Sequence, residues 1–565
     1  MIFFSILILI TAIAIPSINN NISSNNYIRI SSIILLYSGL LALNAINIPA
    51  LGSGFGLFNG LFHVTLISQL MDCFIFLIGS LILVAWPLIN NKKYNHKISL
   101  NNLNIQINKI NTYAIEYSLI ILFSTLGASF LVSSADIISM YLSLELQSFG
   151  IYILTTIFRD SDSATSAGLK YFLLGGLSSC LILLGGGLIY SFTGLTNFES
   201  IYSLIAVSNN NKIILGFNLG FIFIIVGLLF KIAAAPLHNW APDVYDNSPT
   251  IVTIWLTIMP KISILILLLE LYVQGIGLEV GILTGENINI NNKIMGSEIK
   301  NLLFISSLIS LILGTLVGLA QTRIKRLLAS TISHIGFILL ALAISNEQSI
   351  ESLIFYIIQY SITNLNIFLI LIAFSYLIYN SIIQNNFTKL IKINNYFSII
   401  SILLNTIKFK TFYFYNLKMV PDFFFKSKNS LFIKLIKEIK KGLIDTDIKF
   451  ISELKGQFYS NPLISLSLSI CLFSMAGITV LIGFFSKQFV LYSAVQSGYI
   501  FISIVAILVS VISASYYLKI IKVLLLSNFH SFLISNLTLI IILFIFKPSI
   551  LLSSTRLLSL SIFTY

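Results

Sequence analysis

Charged residues are scarce in this sequence. Asp, Glu, Lys and Arg make up 9% of its 565 residues, whereas about a quarter of an ordinary soluble domain is charged. Cysteine is scarce too, and Cys73, Cys180 and Cys471 lie far apart in apolar runs. That spacing indicates neither a disulfide framework nor a metal site. The glycine-rich stretches lack the strand–loop–helix setting of a nucleotide-binding loop, so nothing in the sequence indicates a bound cofactor.

Long hydrophobic runs are what the sequence has instead, and 57% of its residues are hydrophobic. The runs reach the roughly 20 residues that cross a bilayer as a helix. They are uniformly apolar, whereas the strands of a membrane barrel alternate. We predict an all-α polytopic membrane protein with about fourteen transmembrane helices, here called spans 1 to 14. Their predicted centres are Ile8, Leu40, Ile78, Thr125, Leu146, Leu181, Ile225, Ile264, Leu311, Leu339, Leu369, Leu472, Ala506 and Ile542.

The distribution of basic residues predicts an orientation. Of the 33 Lys and Arg residues, 25 follow odd-numbered spans and 5 follow even-numbered spans. Basic residues favour the inner face of a membrane. We therefore expect both termini on the outer side, which is the intermembrane space in a mitochondrion, and the odd-numbered loops on the matrix side. The net charge of +13 thus reflects membrane topology, and we expect no nucleic-acid partner.

A basic insertion at 380–460 contributes much of that charge, with thirteen lysines against five acidic residues. Its Phe and Ile content is typical of a partly amphipathic segment that lies on lipid or on a partner subunit. An insertion without a task is an equally open interpretation. The sequence is also rich in Ile, Asn, Phe, Tyr and Lys, a composition typical of an AT-rich organelle genome.

Four charged residues stand out inside predicted spans: Glu145, Lys231, Lys261 and Lys487. Ionisable groups are expensive at membrane depth and commonly mark an ion path or a proton relay. The alternatives are lysines that reach the membrane surface, or charges that only pair structurally. The acid and the base of spans 5 and 7 predict a buried pair. Desolvation and a nearby carboxylate oppose each other at such a lysine, which can then load and release a proton.

His334 is a further candidate, at the inner end of span 10. Because histidine titrates near physiological pH, it could pass a proton between two half-channels. A hydrogen-bonded core histidine is the alternative interpretation.

The spacing of the lysines predicts an internal repeat. Lys231 lies on span 7 and Lys487 on span 12, and a repeat of five helices reverses direction because five is odd. Two such repeats form an inverted pair, a common plan in transporters. Pro236 follows the first lysine, and Gly477 and Gly483 precede the second, so we expect both helices to be broken where they line a polar cavity.

The predicted organisation has four parts. They are an N-terminal three-helix segment at 1–115, a first five-helix repeat at 116–273, a second repeat at 301–520 interrupted by the insertion 380–460, and a C-terminal helix at 521–565.

Five stretches carry a resemblance to a known family. They are MYLSLELQSFGIYIL at 140–154, AGLKYFLLGGLSSCLILLGGGLIY at 167–190, KIAAAPLHNWAPDVYDNSP at 231–249, KRLLASTISHIGFILLAL at 325–342 and SMAGITVLIGFFSKQFVLYSA at 474–494. Together they resemble the antiporter-like proton-pumping subunits of respiratory complex I. The resemblance implies fourteen core helices, two inverted five-helix repeats, and breaks in helices 7 and 12.

The resemblance also implies roles for four residues. Glu145 corresponds to the family's fifth-helix glutamate and Lys231 to its seventh-helix partner. Lys261 corresponds to the bridging residue of helix 8, and Lys487 to the lysine of helix 12 near the exit half.

Cofactors and partners follow from the resemblance as well. NAD, FMN, the iron–sulfur clusters and ubiquinone would bind other subunits, and none would bind this chain. Its partners would be other membrane-arm subunits of complex I, including neighbouring antiporter-like chains, and membrane lipids. Its place would be the mitochondrial inner membrane.

One departure from the family concerns the break in helix 12. The family has Pro-Pro where this sequence has Thr479 and Val480. We therefore expect Gly477 and Gly483, with their surroundings, to produce the break.

Three functions remain open from sequence. The first is proton translocation coupled to NADH oxidation by ubiquinone, as a subunit of a translocase without its own redox centre. The second is a subunit of a multisubunit sodium/proton antiporter. The third is a structural subunit whose buried charges only hold a membrane arm together.

Overall fold

The chain is described here from a computed structural model, which covers the following residues: 1–15, 24–48, 54–84, 101–158, 161–207, 211–276, 290–328, 331–407, 447–478 and 481–525. Within these ranges, side chains are described except at 101–114, 206, 211, 273–276, 290–297 and 378–407. The predicted span 14 around Ile542, the residues Thr479 and Val480, and positions 408–446 of the basic insertion lie outside the described residues.

Helices dominate the described chain. The N-terminal part contains α1 (Ile2–Ala14), α2 (Ser24–Ala45) and α3 (Leu66–Val84), with strands β1 (Phe55–Leu57) and β2 (Phe62–Val64) between the last two. The next part contains α4 (Asn101–Val132), α5 (Ile137–Thr156), α6 (Asp162–Thr193), α7 (Phe198–Val207), α8 (Asn211–Lys231), α9 (Trp240–Asn247) and α10 (Thr250–Ile276).

The remaining described elements follow the same pattern. They are α11 (Ile290–Leu319), α12 (Ile324–Leu328), α13 (Ile332–Ile344), α14 (Glu347–Ile407), a 3₁₀ turn (Ile451–Leu454), α15 (Gln457–Ser460), α16 (Pro462–Ala476), α17 (Ile482–Gln496) and α18 (Ile500–Leu525). The chain divides into two compact units, one of residues 1–232, 243–295 and 364–449, the other of residues 233–242, 296–363 and 450–565.

The prediction of an all-α polytopic membrane protein is confirmed. Eleven described helices are long and apolar enough to cross a membrane, and α1 and α16 are shorter apolar helices. These helices account for the first thirteen predicted span centres; α8 with α9 forms span 7, and α16 with α17 forms span 12. The β1–β2 hairpin was not predicted. Its turn has Phe58, Asn59 and Gly60 at positive φ, where Asn and Gly are the residues most easily accommodated.

Outward-facing apolar side chains fit a lipid environment. On α6, Leu169, Leu173, Leu177 and Leu184 are all exposed. Successive leucines are four or seven residues apart, which places them on one side of the helix. A soluble protein rarely presents such a stripe. This side of α6 therefore faces lipid or another apolar surface.

Glycines let α6 and α8 approach each other closely. A Cβ at Gly185 would lie 2.5 Å from the Gly220 carbonyl oxygen, and one at Gly227 would lie 2.9 Å from the Ser178 carbonyl oxygen. Small residues at helix crossings allow this backbone contact, and van der Waals packing is a main driving force for helix association in membranes. The contact fixes α8, which ends in Lys231, against α6.

One glycine arrangement occurs twice. In the first unit, Gly127 of α4 packs on the backbone of Gln147 in α5, and Gly150 packs back on Ser124. In the second unit, Gly314 of α11 packs on the backbone of Ser333 in α13.

Gly336 of α13 completes the second arrangement by packing back on Leu311 of α11. The two helix pairs have the same spacing. Gly150 lies three positions after Gln147, which Gly127 contacts, and Gly336 lies three positions after Ser333, which Gly314 contacts. By this correspondence Gln147 matches Ser333, and Ser148 matches His334. The recurrence supports the predicted repeat independently of the family resemblance.

Candidate functional site

A buried ion pair joins the fifth and seventh spans. The Nζ atom of Lys231 donates a hydrogen bond to Oε1 of Glu145 over 3.0 Å. Both side chains are largely removed from solvent, with 7% of the lysine side chain and 13% of the glutamate side chain exposed. Opposite charges at this distance interact strongly where water is excluded. The structure thus brings together the two residues that the sequence singled out first.

The break in the seventh span positions Lys231. Helix α8 ends at this lysine, and α9 begins at Trp240. Between them, Ala233 has φ of +60° and the Ala235–Pro236 peptide bond is cis. Because the partial negative charge of a helix lies at its carboxyl end, the end of α8 is a favourable place for an ammonium group.

The surroundings of Glu145 link it to a second span. Ser148 Oγ donates to Oε2 of Glu145 over 3.2 Å, so each carboxylate oxygen has a partner. Two residues after Glu145, Gln147 accepts a hydrogen bond from Ser263 Oγ of α10 over 3.1 Å. Residues two apart point to different sides of a helix. Helix α5 therefore presents the carboxylate to α8 and the amide to α10.

Gln147 itself was not predicted from sequence. Its side chain is 2% exposed, and its Nε2 atom has no hydrogen-bond partner among the described residues. A buried amide without a hydrogen-bond partner is costly. The only sequence signal is a glutamine inside an apolar span.

Lys261 lies in the interior of α10, with 3% of its surface exposed. Its Nζ atom is 5.7 Å from the ring centroid of Tyr245 in α9, a distance at which a cation interacts with an aromatic face. Pro260, one residue earlier, lies inside the helix and cannot donate a backbone hydrogen bond. Lys261 thus lies beside the second half of the broken seventh span.

Lys487 belongs to α17, and its ammonium group reaches the end of α16 at the second break. Its Nζ atom donates to the carbonyl oxygens of Met475 and Ala476, each over 3.0 Å. These are the last two residues of α16, so the carboxyl end of that helix holds the ammonium. The side chain is 7% exposed. Unlike Lys231, which pairs with a carboxylate, Lys487 is held by main-chain carbonyl groups.

Glycines make the second break, as expected from the sequence. Gly477 follows α16 with φ of +82°, a conformation that costs a residue with a side chain. A Cβ there would lie 3.1 Å from Lys487 Nζ. A Cβ at Gly483 would collide with the Ser474 carbonyl oxygen. The two glycines therefore allow both the break and the close approach of Lys487.

His334 is buried in α13, with 4% exposed. Its Nδ1 atom is 2.7 Å from the hydroxyl of Tyr356, and its Nε2 atom is 3.3 Å from the hydroxyl of Tyr517. Phe337, one turn along α13, stacks on Tyr356 with ring centroids 5.9 Å apart. Lys487 Nζ lies 5.8 Å from the Phe337 ring. The structure thus connects His334 to Lys487 through two aromatic rings.

Two further acids lie within apolar helices. Asp72 of α3 and Glu270 of α10 are both only partly exposed. Oδ1 of Asp72 is buried without a hydrogen-bond partner in the described part of the chain. Among the described residues there is no group of three or more His, Cys, Asp and Glu side chains that could hold a metal ion.

Comparison with known proteins identifies the protein family to which this chain belongs. Residues 134–412 and 400–513 match the family model for the transmembrane domain of NADH:quinone oxidoreductases and Mrp antiporters. Together the two matches cover well over half of the chain. The chain belongs to this antiporter-like family of membrane subunits.

One relative is similar to this chain over its whole length. The chain is 45% identical to NADH-ubiquinone oxidoreductase chain 2 of Rhizopus oryzae, over the full length of both proteins. This confirms the resemblance to complex I subunits and narrows it to the fungal chain 2 type.

Two solved structures share the fold. A chain of respiratory complex I from Thermus thermophilus matches with a TM-score of 0.60 and 21% identity, covering 93% of this chain and 90% of its own. A chain of the Mrp complex from Dietzia matches with a TM-score of 0.63 and 17% identity, covering 93% and 80%. At these identities the likeness concerns the fold alone.

Proposed function

We propose that this chain is a core membrane-arm subunit of respiratory complex I and takes part in proton translocation coupled to NADH oxidation by ubiquinone. The observation that carries the proposal is the buried Glu145–Lys231 pair at the break in span 7. Full-length similarity to a fungal NADH-ubiquinone oxidoreductase chain 2 supports the choice of complex. In this role the chain is part of a translocase and contributes no redox chemistry.

The Lys231–Glu145 ion pair is the part of the site that responds to a change of charge nearby. While Lys231 and Glu145 are 3.0 Å apart, each stabilises the charged form of the other. A change of charge beside the pair, produced by quinone reduction elsewhere in the complex, separates them or draws them together. Once separated from the carboxylate, a buried ammonium is costly and releases its proton. Reformation of the pair then favours proton uptake.

The remaining lysines extend the path. Lys261, beside Tyr245 of α9, receives the proton released from Lys231 and passes it towards Lys487. The two carbonyl groups that hold Lys487 stabilise the ammonium without neutralising it, so this lysine loads a proton and releases it when a neighbouring cation approaches. His334, linked to Lys487 through Phe337 and Tyr356, serves between the two half-channels.

The wider setting follows from this role. The chain lies in the mitochondrial inner membrane with both termini towards the intermembrane space and the 380–460 insertion towards the matrix, the orientation that the basic residues favour. Its partners are other membrane-arm subunits, including antiporter-like neighbours, and lipids contact its exposed apolar faces. NAD, FMN, iron–sulfur clusters and ubiquinone bind elsewhere in the complex.

A sodium/proton antiporter subunit is the second candidate. The shared fold with a chain of the Mrp complex favours it, and both functions use buried charges along the same helices. Sodium dependence separates the two, because only an antiporter requires sodium for proton movement.

The experiment uses the native complex that contains this chain, purified and reconstituted into vesicles. NADH and a short-chain quinone drive the reaction in sodium-free buffer, and a pH-sensitive dye reports acidification with and without an uncoupler. We expect acidification that the uncoupler abolishes. Acidification that appears only when sodium is added, or that does not appear at all, would overturn the proposal in favour of the antiporter.

A further inference from the structure

The second unit holds a group of three hydrogen-bonded side chains from three different helices. His334 of α13 lies between the hydroxyl groups of Tyr356 in α14 and Tyr517 in α18, at 2.7 and 3.3 Å. Both tyrosines are completely buried. In the neutral imidazole one ring nitrogen donates and the other accepts, while a tyrosine hydroxyl can do either. The whole group therefore supports two opposite directions of hydrogen bonding.

The repeat allows His334 and its neighbours to be compared with the matching residues of the first unit, which contains the Glu145–Lys231 pair. The recurring glycine contacts match His334 with Ser148 and Thr331 with Glu145. In the first unit, Ser148 bonds the carboxylate of Glu145. In the second unit Thr331 replaces the acid, and His334 with its two tyrosines lies three positions further along, where the first unit has Ser148.

We propose that Tyr356 and Tyr517 are the outer members of a three-member proton relay, with His334 held between them at its centre. This inference rests on the proposed function, since it assigns a route within it. Both ring nitrogens are held at once, so the imidazole cannot turn away from the path.

The transfer conserves protons and charge. A proton that arrives at the Tyr517 oxygen displaces the hydroxyl hydrogen to Nε2, and the imidazolium then releases its Nδ1 hydrogen to the Tyr356 oxygen. Tyr356 in turn loses its own hydroxyl hydrogen on the far side. One proton enters, one leaves, and the ring is left as the other neutral tautomer. Transfer in the opposite direction reverses the same two hydrogen bonds.

Further contacts indicate where the relay leads. The ring of Tyr360 lies beside that of His334, with the two ring centroids 6.2 Å apart. The Tyr356 ring stacks on Phe337, whose face meets the ammonium of Lys487. The tyrosine on Nδ1 thus lies on the side of the relay that approaches Lys487.

The test replaces each tyrosine by phenylalanine in the intact complex, as Tyr356→Phe and Tyr517→Phe. Tyr27→Phe is the matched control, because the Tyr27 hydroxyl is buried without a hydrogen-bond partner among the described residues. Uncoupler-sensitive acidification is measured per NADH oxidised and per assembled complex, in H₂O and in D₂O. We expect a fall of about twofold to tenfold for each relay variant, the effect of losing one hydrogen bond, with a larger solvent isotope effect. The control retains wild-type pumping.

A variant at the centre separates this inference from the proposed function. If His334→Phe lowers pumping while both tyrosine variants pump normally with an unchanged isotope effect, the tyrosine relay is overturned and the proposed function stands. If His334→Phe also pumps normally, His334 has no place in the path.

If the complex with Tyr517→Phe assembles poorly, a second substitution at the same residue tests the relay. Tyr517→His keeps a ring with an exchangeable hydrogen, and we expect it to pump better per assembled complex than Tyr517→Phe. Equal pumping by the two assembled variants would overturn the relay, because only the phenylalanine variant lacks a hydrogen to transfer.

Discussion

Lys231 and Glu145 form a 3.0 Å ion pair between a helix end and the middle of another helix, 86 residues apart in sequence. The arrangement depends on the break after α8, which ends that helix at the lysine. A continuous helix would satisfy the carbonyl groups that now favour the ammonium. The break and the ion pair are therefore one structural feature.

The first prediction separates charge from function at this pair. Lys231→Met leaves Glu145 buried without its partner, and loss of one member of a buried pair typically costs about 3–5 kcal/mol. Adding Glu145→Gln removes the second charge, so we expect the thermal stability of the complex to recover in the double variant. Pumping and coupled quinone reductase activity should stay low in both variants. They are measured in reconstituted vesicles alongside the melting temperature.

A contrary result is equally informative. If pumping recovers together with stability in the double variant, the pair only holds helices α5 and α8 together, and the structural role considered from sequence is correct. Normal pumping in a fully assembled Lys231→Met variant would also contradict the relay.

The second prediction concerns Gly477. An alanine there suffers the left-handed backbone, at about 1–2 kcal/mol, and its Cβ also lies 3.1 Å from Lys487 Nζ. Gly498→Ala is the control, because Gly498 has φ of +84° and a methyl group there would meet nothing within 4 Å. We expect similar losses of stability but reduced pumping only for Gly477→Ala. Equal pumping by the two variants would show that Lys487 tolerates displacement from its carbonyl groups.

The third prediction concerns the start of α10. Asp447 accepts hydrogen bonds from the Thr250 amide over 3.0 Å and from its hydroxyl over 2.8 Å. This carboxylate acts as a helix cap supplied from 197 residues away, and loss of a cap costs about 0.5–2 kcal/mol. We expect Asp447→Ala to lower the melting temperature of the complex and Asp447→Asn to lower it less.

A double-mutant cycle with Thr250→Val checks the assignment of this cap. Because both substitutions break the hydroxyl–carboxylate bond, the combined loss should be smaller than the sum of the single losses. Strict additivity would indicate that the two side chains act independently.

The fourth prediction concerns the contact between α6 and α8. Gly185→Ala forces a methyl group against the Gly220 carbonyl oxygen, and overpacking of this kind typically costs about 1–3 kcal/mol. Gly187→Ala, two residues later, meets nothing within 4 Å and costs little. Immunoblots of native gels should show less assembled complex for Gly185→Ala and a normal amount for Gly187→Ala. Normal assembly of both variants would refute the close packing.

Sequence reasoning recovered the spans because each is a local property. A run of about 20 apolar residues must close its backbone hydrogen bonds in the membrane, whatever its neighbours are. The same rule made Glu145, Lys231, Lys261 and Lys487 visible, since a charge among apolar residues is conspicuous in the sequence alone. The proposed roles of these residues and the four-part organisation remain predictions.

Gln147, Tyr356 and Tyr517 were not visible in the same way. Serines, tyrosines and single amides are common in membrane helices, and only their partners distinguish them. Tyr517 lies 183 residues from His334, and Gln147 lies 116 residues from Ser263. No local pattern reports a contact across such distances.

The sequence by itself determined the class of protein, the spans up to the thirteenth, and the ionisable residues inside them, because the cost of placing a polar group in lipid depends on the residue and its immediate run. Tertiary structure alone decided that Lys231 pairs with a carboxylate whereas Lys487 binds two carbonyl groups, and that two tyrosines hold His334. These partners are set by helix packing, because glycine contacts between helices and breaks within helices bring together side chains from distant parts of the chain.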